Sequence, residues 1–133
     1  MKANAFLILF MTLGLVLMAT PLVAHHSFMV GFDLSKPIVV KGVVTKVAWA
    51  NPHISFYVDV TGPDGKVTNW GIDAAAPSAL AARGWTSASM KAGDVVTVEG
   101  FLARNGKPFA AASTVTLGDG RKILAGSDGA YAK

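Results

Sequence analysis

An all-β domain with one short helix, set behind an N-terminal signal peptide, is the fold class that the 133-residue sequence predicts. Three observations predict it. Ile54, Phe56, Val58 and Val60 alternate with Ser55, Tyr57 and Asp59, which is the period-two pattern of a strand with one buried face. The stretch IVVKGVVTKVAWA at 38–50 is dense in β-branched residues and carries Gly42, a residue that inside a strand marks a bend or bulge. Three strand-like segments, one short helical segment and two or more further strands then follow, the order of an OB-like five-stranded small barrel. A small β-sandwich is the alternative arrangement.

Each element has its own signal. Residues 1–24 read as a secretory leader: Lys2 starts it, an apolar run extends from Ala5 to about Ala19, and the expected cut follows Ala24, with a cut after Ala19 or retention as an anchor as the alternatives because Leu22 is large for its position. That run is shorter than the roughly 20 residues of a spanning helix. Gly14 interrupts it, and Pro21 breaks it. Residues 25–36 lack a periodic pattern and are expected to form an N-terminal arm, followed by the barrel domain at 37–125 and a flexible tail at 126–133. Strands are expected to begin near Ile38, His53, Val67, Asp94 and Ala111. Asn51 and Pro52 turn the chain after the first, and GPDG at 62–65 joins the second and third as a hairpin. Pro77 opens the helical stretch and Gly84 stops it, which predicts a helix at 77–83. Arg104 to Lys107 form the next turn, and a GDG turn precedes RKIL near the end.

The chain contains no cysteine, so burial of apolar surface rather than cross-linking has to hold it together. Closing the sheet into a barrel would also protect the strand edges. The formal net charge of +4 is spread along the sequence, with no basic stripe interleaved with aromatics. This distribution argues against nucleic acid as a partner. A periplasmic or secreted protein without stable membrane insertion after leader cleavage is expected, its partner a metal ion or a small ligand.

The three histidines are His25, His26 and His53. Cleavage after Ala24 would give His25 a free α-amine, which together with its own imidazole closes a chelate ring around one metal. An unperturbed α-amine titrates near 8 and an imidazole near about 6.5, so a metal competes with protons for both around neutral pH. His26 or His53 would add a further nitrogen. A thiol-free nitrogen set suits copper first, ahead of zinc and nickel. The arrangement resembles the histidine brace of oxidative copper enzymes and the N-terminal histidine of periplasmic copper carriers, on His25 alone. The plainer readings are that His26 and Ser27 are polar spacing at the cleavage site and that His53 satisfies a turn carbonyl.

A second candidate site is aromatic. Trp49, Tyr57 and Trp70 fall on the first three strands, where on an OB-like barrel they would stack on a sugar or other flat ligand. The competing reading is that tryptophans of a small domain belong to its core. Trp85, just past the helix stop, is expected to plug a barrel end. Signals for catalysis are thin. Glu99 is the only glutamate and falls in a strand, while Asp33, Asp59 and Asp73 have no spacing that pairs two carboxylates. Asp64, Asp94 and Asp119 sit in turns, and no nucleophile elbow accompanies the serines.

Taken together, AHHSF, Phe32–Asp33, G-V-V-x-K-V-x-W at 42–49, N-P-H at 51–53, Trp70, R-G-W at 83–85, K-x-G-D-x-V-x-V-x-G at 91–100 and D-G-R at 119–121 resemble an uncharacterised family of exported bacterial proteins. That family is classified only as a domain of unknown function. The resemblance runs from about His25 to Arg121. It implies an exported small β domain with no established activity.

Overall fold

The alternation over 54–60 becomes β2 (Ser55–Thr61), which GPDG folds back into β3 (Val67–Asp73) in an unbroken antiparallel register from Ser55 opposite Asp73 to Thr61 opposite Val67. The structure is a computed structural model describing residues 30–126. Its other elements are β1 (Phe32–Ala48), α1 (Pro77–Ala81), β4 (Val95–Ala103), β5 (Phe109–Thr116) and a short β6 (Lys122–Leu124). β1 pairs with both β2 and β4, β4 pairs with β5, and a parallel contact between β3 and β5 completes a ring of five strands. β6 lies outside that ring, hydrogen-bonded to β5 alone. The predicted all-β class with one short helix is the observed one, while the expected leader at 1–24 and most of the expected tail at 126–133 lie outside the described residues.

A ring this small needs sharply coiled strands, and the sequence supplies the places to coil. In β1 the register shifts between Val44 and Lys46, so Thr45 is the extra residue of a bulge against β2. Gly42, two residues earlier, faces the backbone of β2 so closely that a Cβ there would strike the carbonyl oxygen of Asp59. Gly100 plays the same part between β4 and β5. It adjoins the register shift at Glu99, and a Cβ on it would strike the carbonyl oxygen of Ala111.

The inward-facing residues of the strands and the one helix make a single core that includes Val44, Ile54, Phe56, Val58, Ile72, Leu80, Val96, Val98 and Val115. Trp85 is only 1% exposed, which fits the expected plug. Its Nε1 is the one buried side-chain polar atom without a hydrogen-bond partner among the described residues. α1 has five residues, too few to be stable alone. Pro77 sets its first turn, Leu80 is buried, and Gly84 at φ +87° ends it. Arg83 then donates from Nη1 to the carbonyl oxygens of Leu124 (3.3 Å) and Gly126 (2.5 Å), tying the end of the chain to the helix.

Several boundaries differ from expectation. β1 starts at Phe32, not Ile38, so residues 32–36 belong to the strand and not to an arm; residues 25–29 lie outside the described region. The reason is a wide irregularity: Phe32 opposes Ala103 and Pro37 opposes Phe101, leaving four β1 residues across from Leu102 alone. Asp33 braces this bend by accepting from the Ser35 hydroxyl at 2.7 Å and the Ser35 N–H at 3.1 Å. Ladder pairing starts at Ser55, two residues past His53, because Ile54 exchanges backbone bonds with Ala74 and Ala75 beyond the end of β3. β4 begins one residue late, at Val95. β5 begins early, at Phe109, because that residue pairs with Gly71. The helix ends at Ala81, two residues short of the expected boundary.

Candidate functional site

Directly opposed residues of a ladder share one face of the sheet. On β2 and β3 this puts Phe56 with Ile72 and Val58 with Trp70 on the inner side, and Ser55 with Asp73, Tyr57 with Gly71 and Asp59 with Asn69 on the outer side. The outer side is therefore a ladder of three pairs. At one end the Ser55 hydroxyl donates to Asp73 Oδ1 at 2.7 Å. At the other, Asn69 Nδ2 donates to Asp59 Oδ1 at 2.7 Å and to Thr45 Oγ1 on β1 at 3.3 Å. Tyr57 stands between them, 38% exposed, with the Lys46 ammonium 6.0 Å from its ring centre.

The three aromatics expected to form one binding face do not share it. Trp49 and Trp70 are half-buried and pack against the core, and the register sets Trp70 on the side opposite Tyr57. Tyr57 remains on the outer face without either tryptophan. Two phenylalanines cluster at Gly71, the residue opposite Tyr57. Phe109, at the start of β5, pairs with Gly71, and Phe32 stacks on Phe109 at 5.7 Å between ring centres and 22° between planes. Neither was visible from hydrophobic alternation, because what brings them to Gly71 is the parallel β3–β5 contact and the bulged start of β1.

His25 and His26 lie outside the described residues. His53 is half-buried in the β1–β2 loop, after the cis peptide bond between Asn51 and Pro52. Among the described residues no group of three or more His, Cys, Asp or Glu side chains is placed to hold a metal ion. No described helix is long and apolar enough to cross a membrane.

Three further acids among the described residues are engaged in local structure. Asp94 accepts from the Lys91 N–H at 2.9 Å and from Lys91 Nζ at 3.0 Å, and Asp119 accepts from the Arg121 N–H at 3.0 Å and Arg121 Nε at 2.7 Å. These bonds hold both carboxyls below the ordinary aspartate range, with the backbone donors contributing most. The K-x-G-D and D-G-R segments are thus turn chemistry, with Gly93 and Gly120 at positive φ completing the turns. Glu99 faces Lys122 at 2.5 Å and accepts from the Thr114 hydroxyl, and those two bonds lower its carboxyl in the same way. The sole glutamate therefore pins β6 and β5 to β4. A separate hollow of about 390 Å³ lies over Val95 and Leu117, rimmed by the Lys91–Asp94 and Arg121–Asp119 pairs.

What the outer face of β2 and β3 offers chemically is an exposed ring between two fixed polar pairs. In comparisons with known proteins, residues 13–112 match the model of a Family of unknown function (DUF6152). No curated protein matches the chain.

Proposed function

We propose that this chain, which belongs to the Family of unknown function (DUF6152), is an exported small binding protein whose ligand docks on the outer face of β2 and β3 around Tyr57. The observation that carries this reading is the exposed Tyr57 ring set between the Ser55–Asp73 and Asp59–Asn69 pairs. An aromatic face left in water gains by covering an apolar surface, and the flanking carboxylates and amide are already oriented to exchange hydrogen bonds with hydroxyls. In OB-like barrels the same two strands are the habitual binding face. A sugar, apolar on its ring faces and hydroxylated at its rim, has the matching chemistry. Titration of the folded protein with cellobiose should perturb the tyrosine signals, and Tyr57→Ala should weaken binding about tenfold while leaving the fold intact. Unchanged affinity in Tyr57→Ala would overturn the assignment.

A second reading is copper binding at the N-terminal histidines. It rests on the sequence, which places His25 and His26 directly after the expected cut. If export leaves His25 as the first residue, its amine and imidazole chelate copper(II), with His26 beside them. Protein beginning at His25 should bind one equivalent more tightly than protein with one glycine added before it, and affinity should fall as protons compete for the same nitrogens. Equal affinity of the two forms would remove this reading.

A further inference from the structure

We infer that the binding face extends from Tyr57 across Gly71 to Phe109, making a two-ring strip suited to two consecutive sugar units of a β-1,4-linked chain. The inference rests on the docking surface proposed above and names its reach and its ligand class. Three observations support it. A methyl group built on Gly71 would lie 2.6 Å from Phe109 Cδ2 and 3.6 Å from Tyr57 Cε1, so the Phe109 ring fills the space that this buried glycine leaves and the Tyr57 ring borders it. They do so from opposite sides, since β2 and β5 are the two neighbours of β3. Phe32, 4% exposed, stacks behind Phe109 and makes a rigid backing for it.

Two inter-strand steps separate the backbones of Tyr57 and Phe109, a span of about 10 Å, which is longer than one pyranose ring. A single sugar covers one of the two rings. A flat β-1,4-linked pair covers both, because its extended shape keeps successive ring faces close to one line. The polar pairs flank this line, each two residues away along the strands, Ser55–Asp73 on one side and Asp59–Asn69 on the other. Phe32 is a positioning residue, acting through Phe109.

The test is calorimetric titration of the intact protein with glucose, cellobiose and cellotetraose, with the fold of every variant checked by its amide spectrum. Wild-type protein should prefer cellobiose over glucose by about tenfold, and Phe109→Ala should remove that preference. Gly71→Ala, whose added methyl displaces the Phe109 ring, should have the same effect. Phe32→Leu should reduce the preference without abolishing it. If Tyr57→Ala weakens binding but Phe109→Ala keeps the full preference, the two-ring strip is wrong and the Tyr57 surface stands. If none of the three saccharides binds the wild-type protein, the strip and the sugar-docking surface fall together.

Discussion

Glu99 shows what a single side chain does in this chain and how far sequence alone reveals it. Its position in a strand was legible. Its partners were not, because Thr114 is set opposite Glu99 by the β4–β5 register and Lys122 reaches it from β6, which pairs only with β5. Its carboxyl titrates below the ordinary glutamate value of about 4.3, chiefly through the Lys122 contact. A group lowered in the folded state contributes stability above its unfolded value and loses it as pH falls through the folded value. Glu99→Gln should therefore lower the melting temperature at pH 6, and the gap to wild type should shrink as pH falls below the ordinary glutamate range and the carboxylate protonates. A gap of constant size across that range would show that the charge is not what Glu99 contributes. Tyr57 and Trp70 make the same point about faces. Each was recognisable as a strand aromatic, yet which side each takes depends on the pairing register, and the register sets them back to back.

Strand identity was readable wherever alternation and turn residues coincided, as in the β2–β3 hairpin. It failed where an irregularity hides the pairing. The SKP segment before Ile38 lacks β propensity, but Phe32 on its far side is buried and paired, so β1 runs through it. The glycines inside strands were legible as bends, and the structure adds the obstacle that each one avoids. Gly100→Ala should be costly because its methyl meets the backbone of β5, which cannot rotate away as a side chain does. A destabilisation of about 1–3 kcal/mol or more is expected in urea unfolding. A change near zero would mean that β4 and β5 can separate at the bulge without loss.

Over the whole molecule, the order of three strands, a helix and further strands was enough to expect the ring, since few topologies close that order around one core. The ring in turn explains why the chain needs no cysteine: core residues from five strands and one short helix meet in one cluster, with Trp85 among them. The proposed docking surface was only partly legible. Tyr57 was identified as exposed by its place in the alternation, whereas Phe109 and Gly71 become its neighbours only once β5 pairs with β3. The central claim, that this closed ring presents the outer face of β2 and β3 to a ligand, is tested most directly by mapping amide shifts during a cellobiose titration. Changes should concentrate at Ser55, Tyr57, Asp59, Asn69, Gly71 and Phe109. Changes gathered instead around Lys91, Asp94 and Arg121, or none at saturating sugar, would contradict it.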